Sequence, residues 1–252
     1  MNRIGVQLYT VRRLLEQSEQ ITPTLAKIKE MGYDTVQLAG STNSVDRSIH
    51  IAEECQKLGL AIVGFHGSID FYEEQPEWIF DFCKKYDVPD ICLSAKAMDY
   101  KETLTFIERV NQFAKRVKVE GRTLSFHNHS HEFIKTTHGE TVMQLLLEGF
   151  DKENVCFMPD TFWLQDGGAD VRLFLENLKG RIKVLHLKDW RRTPEGRTFA
   201  EIGSGTMYMK EIIQTALACG IHEFVVEQDQ CDGNPLDSLK QSLDNIKKYE
   251  IL

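Results

Sequence analysis

Eight short apolar runs, each followed by a longer stretch with helical spacing, constrain this chain more than any other feature. The runs are IGVQLY (4–9), TVQLA (35–39), AIVGFH (61–66), DICLS (90–94), TLSFHN (123–128), VCFMPD (155–160), IKVLHLK (182–188) and EFVVEQ (223–228). Apolar runs of this length bounded by turn residues read as strands, and apolar recurrence every three to four residues reads as helix. The first helical stretch, TPTLAKIKEMG (22–32), offers Thr22 as a cap, Pro23 in its first turn and Gly32 at its end. Gly32, Gly59, Gly121 and Gly220 each follow such a stretch, which predicts a left-handed stop before the next strand. Eight strand–helix units in this order predict a single (β/α)8 TIM barrel, one α/β domain over residues 1–252. A doubly wound open sheet is the runner-up, but no GxGxxG follows the first run.

A chain of 252 residues with 42% apolar composition can bury the core such a barrel needs. Its 30 Lys and Arg against 38 Asp and Glu leave a net charge of -8. That balance lacks the basic footprint for gripping a phosphate backbone, so no nucleic acid partner is expected. The six cysteines are scattered without a CxxC and predict free thiols in a reducing compartment. The N-terminus MNRIGVQLYTVRRLL has no signal-peptide pattern, and no run approaches the roughly 18 apolar residues of a membrane helix. The expectation is a cytoplasmic protein with no membrane partner. A homo-oligomer is left open.

In a barrel of this kind chemistry sits at the carboxyl ends of the strands, and polar residues gather there. The third run ends in His66. The fifth ends in His127, Asn128 and His129, with His131 and Glu132 just beyond, in the stretch HNHSHEF. The sixth ends in Asp160. The seventh carries His186, Lys188 and Asp189, and the eighth ends in Glu227, followed by Asp229. Each residue has a plain structural reading when taken alone: His66 as a satisfied rim residue, Asp160 as a helix cap, Glu227 as a rim ion pair. Taken together they place an acid or an imidazole at the same end of five strands. Carboxylates from three strands with one imidazole form a mostly oxygen site suited to Mn²⁺, Mg²⁺ or Fe²⁺, with Co²⁺ also accommodated. The expected ligands are Glu132, Asp160, His186 and Glu227. His138 and His222 fall outside strand ends and receive no role.

These motifs resemble the xylose-isomerase-like TIM-barrel superfamily of sugar phosphate isomerases and epimerases. GVQLYTVR (5–12) is similar to its first strand, FHNHSHEF (126–133) to its fifth-strand signature, MPDTFW (158–163) to its sixth, HLKDW (186–190) with IGSGT (202–206) to its seventh strand and loop, and VVEQDQ (225–230) to its eighth. The resemblance implies one divalent metal, commonly Mn²⁺, with Zn²⁺ among the other ions compatible with it. It also carries the ligand set onto Glu132, Asp160, His186 and Glu227. Many relatives have a histidine three residues after the sixth-strand aspartate, where this chain has Trp163. That departure points to a single-metal branch with an aromatic sugar platform, and away from endonuclease-like relatives that hold three zinc ions.

The chemistry implied is isomerisation or epimerisation of a keto-sugar or keto-glycoside by proton transfer beside a carbonyl, through a metal-stabilised enediolate. Glu132 and Glu227 are the expected proton-transfer pair. His66, His127, His129, Trp163, Lys188 and Arg197 are expected to bind substrate, with Trp190 and Phe199 as further ring platforms. Asp189 reads either as orienting Lys188 or as a surface ion pair, and Gly203-Ser204-Gly205 either as an anion nest for a phosphate or as a plain turn into the next helix. A lyase or dehydratase acting on the same kind of keto-sugar is the alternative, and an endonuclease-like metallohydrolase is a more distant one.

Overall fold

The computed structural model describes residues 2–40 and 44–251. The described residues form ten strands: β1 Arg3–Gln7, β2 Thr35–Ala39, β3 Ala61–Gly67, β4 Asp90–Leu93, β5 Thr123–His127, β6 Val155–Met158, β7 Val184–Leu187, β8 Asp189–Thr193, β9 Gly196–Ala200 and β10 Glu223–Val226. Eight of them form one sheet in the order β6-β5-β4-β3-β2-β1-β10-β7, and every pairing in it is parallel. Bridges at Phe157–Ile182 and Asp160–His186 bring the two ends together. The result is the (β/α)8 TIM barrel that the strand–helix alternation predicts.

The helices form for readable reasons. The helix Tyr100–Val119 opens on a capping box, with Asp99 accepting from the Glu102 amide at 2.8 Å and Glu102 accepting from the Asp99 amide at 2.8 Å. Its Phe106, Val110, Phe113 and Val117 are buried at three- and four-residue spacing. Phe106 packs edge-on to Phe126 of β5, which in turn meets Phe150 and Phe157. Burial of each such side chain contributes about 1.5–3 kcal/mol. The four predicted stop glycines all adopt positive φ: 97° at Gly32, 65° at Gly59, 68° at Gly121 and 84° at Gly220.

Three expectations shift. The first strand stops at Gln7, whose side chain accepts from the Tyr9 amide at 3.2 Å and turns the chain into a 3-10 helix, Leu8–Val11. The first long helix begins at Ser18 and not at Thr22, because the Thr22 hydroxyl bonds Glu54 of the neighbouring helix at 2.8 Å and caps nothing. Pro23 therefore lies inside that helix. The long loop expected after the seventh strand is an antiparallel hairpin of β8 and β9, turning at Gly196 with φ 133°. All six cysteines are free thiols. Among the described residues no helix is long and apolar enough to cross a membrane.

Side-chain alternation then positions the site. Successive residues of a strand face opposite sides of the sheet. On β7, Leu185 and Leu187 join the large core beneath the helices, while Val184 packs with Val63, Cys92, Met158 and Val225. His186 and Lys188 share Val184's parity and stand further along the strand direction. Their neighbours come from β2, β3 and β5 and from the residues just past β6 and β10.

Candidate active site

A cavity of about 240 Å³ opens at the carboxyl ends of the strands, lined by His66, His127, His129, Lys188, Glu227 and Asp229 among others. At its base Lys188 is 1% exposed. Its Nζ lies 2.9 Å from Asp160 Oδ2, 3.0 Å from Glu227 Oε2 and 2.9 Å from Asp229 Oδ1. Burial by itself would lower this lysine's pKa; the three carboxylates outweigh burial and hold it above the ordinary value. Glu227 shows the converse balance. Burial would raise it, but the Lys188 ammonium and the His186 hydrogen bond hold it below the usual carboxylate range. Asp160 is pushed up to about 6 because burial exceeds the help it receives from Lys188. It also caps the helix Thr161–Asp166, accepting from the Trp163 amide at 3.0 Å, so its structural and site readings hold together.

His186 is fully buried. Its Nε2 lies 2.6 Å from Gln37 Oε1, and Gln37 Oε1 also accepts from Gln7 Nε2 at 2.6 Å. The amide oxygen must accept from both neighbours, so the imidazole proton sits on Nε2. His186 Nδ1 faces Glu227 Oε2 at 3.0 Å. Two electron-rich atoms facing each other at that distance call for a proton or a cation between or beside them. This is the pattern of a metal-ligating histidine, with its other nitrogen fixed by an outer acceptor.

The imidazoles of His66, His127 and His129 are held neutral. Burial, reinforced by His186, pushes His66 down to about 3. Burial pushes His127 well below its ordinary value and His129 to about 4. The rings of His66, His127 and His186 pack in series, at 4.9 Å and 4.6 Å between centroids.

The metal-capable residues fall into two groups. His127, Asp160, His186 and Glu227 form one, and His129, His131 and Glu132 the other, with ligand atoms in each within 4.8 Å of one another. Three of the four expected ligands are thus together. Glu132 is in the second group, while His127, expected to touch substrate, is in the first. The reason is local: His127 is the last residue of β5 and faces inward by alternation, whereas Glu132 sits on the 3-10 turn His131–Phe133 beyond the strand. Glu132 Oε2 accepts from the His129 amide at 2.8 Å, and Oε1 is buried with no hydrogen-bond partner. Burial, opposed by the backbone hydrogen bonds, raises this carboxyl to about 8.

Trp163 stands beside the site, 5.4 Å from the His129 ring and 5.2 Å from Lys188 Nζ, with Phe199 at 5.9 Å from the same ammonium. Trp190 packs against Phe162 at 6.5 Å. Arg197 is paired with Asp166 and lies over the Phe162 ring, and it does not line the cavity. Asp189 does not orient Lys188. Facing the opposite way by strand alternation, it accepts the amides of Trp190 at 2.8 Å, Gly203 at 3.0 Å, Gly205 at 3.1 Å and Met207 at 3.3 Å. The turn considered as a phosphate nest is therefore filled by the chain's own carboxylate.

Sequence reasoning passed over Gln7 and Gln37, both fully buried. The signal was available: each is the single long polar side chain in an otherwise apolar strand run, the rule that found His186. It also passed over Arg12, which donates to the Asp229 carbonyl at 2.9 Å and the Tyr9 carbonyl at 2.7 Å and so braces the rim.

A family profile for the xylose isomerase-like TIM barrel matches residues 25–249. No curated protein matches the chain by sequence. Among solved structures, a sugar phosphate isomerase/epimerase from Parabacteroides distasonis is similar with TM-score 0.82 at 20% identity, over 98% of this chain and 94% of that one. L-ribulose 3-epimerase is similar with TM-score 0.73 at 14% identity, over 99% and 94%. A xylose isomerase-like TIM barrel protein from Mycobacterium smegmatis, in complex with magnesium, is similar with TM-score 0.75 at 14% identity, over 99% and 96%. At these identities the likeness is one of fold. Fold, strand-end residues and profile agree, and the chain belongs to the xylose isomerase-like TIM-barrel family.

Proposed function

We propose that this protein is a divalent-metal-dependent enzyme that moves a proton on the carbon beside the carbonyl of a keto-sugar, as an isomerase or epimerase. The observation that carries the reading is the inner group itself: His186 Nδ1 faces the Glu227 carboxylate at 3.0 Å, with Asp160 and His127 beside them. That donor set, two carboxylates and two imidazoles, fits Mn²⁺ or Mg²⁺ and admits Fe²⁺, Co²⁺ or Zn²⁺. Asp160, His186 and Glu227 would hold the ion, with His127 completing the set. Bound there, the metal would polarise the substrate carbonyl and offset the negative charge that develops as the proton leaves.

The two glutamates divide the remaining work. Glu227 is tied to Lys188 and His186 and is held ionised, which makes it an anchor and a weak base. Glu132 is raised to about 8 and keeps one oxygen free of hydrogen bonds, which suits a group that takes up a proton near neutral pH and gives it back. Glu132 is therefore the proposed base. A single base serving two adjacent carbons favours isomerisation. The neutral rings of His66 and His129 offer one donor and one acceptor each to sugar hydroxyls, Trp163 and Phe199 stand against the Lys188 ammonium beside the cavity, and Lys188 keeps the carboxylates in register.

The test is proton exchange. The protein is incubated with Mn²⁺ and a panel of keto-sugars in heavy water, and the recovered sugar is examined for carbon-bound deuterium. Incorporation that disappears in Glu132→Gln is expected. Binding of keto-sugars with no incorporation in any of them would refute proton-transfer chemistry.

A further inference from the structure

A second cavity, of about 480 Å³, lies between the loops that follow β3 and β4. Ser94 lines both this cavity and the site cavity, so the two are neighbours along one wall. The seam is fixed from the other side as well: His131, next to the proposed base, lies 3.2 Å from the Ala95 carbonyl through Nε2. The two cavities differ in chemistry. The site cavity is walled by imidazoles, a lysine and carboxylates. The outer one is lined by the apolar Ile69, Ala95, Ala97, Met98 and Phe106, with Lys96, Lys101 and Glu102 among its charged lining residues. Arg109, one of the long side chains lining it, is paired with Asp70 at 2.6 Å and with Glu73 at 2.5 Å. The groove thus lies beside a polar pocket.

We propose that this groove is an aglycone subsite. On the reading of the inner cavity as a sugar site, the substrate is a glycoside whose polar ring enters the site cavity while an apolar aryl or alkyl aglycone lies between Ala97 and Phe106. A second, independent observation favours a glycoside over a sugar phosphate. The glycine turn that could have cradled a phosphate has its amides taken by Asp189.

Direct binding separates this proposal from the chemistry. Calorimetric titration of the Mn²⁺-loaded protein with methyl glucoside and with phenyl glucoside reads the groove with no reaction required. Phenyl glucoside is expected to bind about tenfold more tightly, a difference of about 1.4 kcal/mol. Ala97→Trp and Thr105→Trp, each introducing bulk from one wall of the groove, are expected to erase that advantage and leave methyl glucoside affinity within about twofold. Equal binding of both glucosides by the wild type overturns the subsite and leaves the sugar-site reading standing. An advantage that survives both tryptophan variants also overturns it. Tighter binding of glucose 6-phosphate than of phenyl glucoside would overturn it in favour of an anion site. Binding of neither glucoside, nor of any keto-sugar, would overturn the sugar-site reading and the subsite with it.

Discussion

Replacing Lys188 with methionine keeps the length of the side chain and removes its charge. In the wild type one ammonium, 1% exposed, serves three carboxylates at 2.9–3.0 Å. The variant leaves Asp160, Glu227 and Asp229 facing one another with no counter-ion. Breaking a buried ion pair from one side costs about 3–5 kcal/mol. In a chain of this size each kcal/mol moves the melting temperature by about 2–4 °C, so Lys188→Met should melt about 6–20 °C below the wild type at pH 8 in chelator. The sign of the pH dependence follows from the lost cation. Without it the carboxylates titrate higher, the folded state binds protons more tightly than the unfolded chain, and stability falls as pH rises. The deficit should therefore shrink as pH is lowered from 8 to 5. A divalent ion can replace the missing charge, and Mn²⁺ at a hundredfold excess over its Kd should restore about 2.7 kcal/mol. Urea unfolding followed by circular dichroism, with and without Mn²⁺ and across this pH range, measures all three effects. A variant within about 1 kcal/mol of the wild type at pH 8 would refute the central place given to Lys188, and so would a deficit that grows toward pH 5.

The inner group can be checked by metal analysis: Asp160→Ala and His186→Ala should each lose the bound divalent ion that the wild type retains after gel filtration, and retention by both would remove them as ligands. Glu132→Gln should lower the deuterium exchange rate by about 10²–10⁴-fold with metal still bound, whereas Glu227→Gln should lose metal and activity together; the reverse pattern would exchange their roles. At the amino end of the barrel Asp90 is buried, accepts from Ser125 Oγ at 2.6 Å, and is raised by burial from 3.8 to about 7. A carboxyl raised in the folded state costs stability as pH climbs through that window, so Asp90→Asn should gain on the wild type between pH 4 and 8, by up to about 4 kcal/mol; a pH-independent difference in urea midpoints would contradict it. Asp189→Ala removes the acceptor for four backbone amides and should cost about 1.5–3 kcal/mol or more, with faster amide exchange at Trp190 and in residues 203–207; unchanged exchange there would show that the loop holds without it.

What the sequence determined by itself rests on local rules. Strand–helix alternation and terminal glycines require nothing beyond neighbours along the chain, and they yielded the barrel. Alternation on a strand is equally local, so the inward aim of His186 and Lys188, and the presence of Asp160 and Glu227 at strand ends, could be read directly. The same rule already implied that Asp189 points away from Lys188, and it marked Gln7 and Gln37. The antiparallel hairpin was legible too, in the alternation of DWRRT and GRTFA about Pro194 and Gly196. Only the tertiary structure decided how these groups share one another. That Lys188 is held by carboxylates from two segments, Asp160 after β6 and Glu227 with Asp229 after β10, depends on ring closure, which no local window contains. Glu132 lies past the end of β5, where alternation stops applying, and a bond from its own His129 amide sets it in a separate cluster from Asp160. The charge states follow closure as well: two glutamates indistinguishable in sequence are driven apart, one up to about 8 by burial, the other down by an ammonium brought from the next strand.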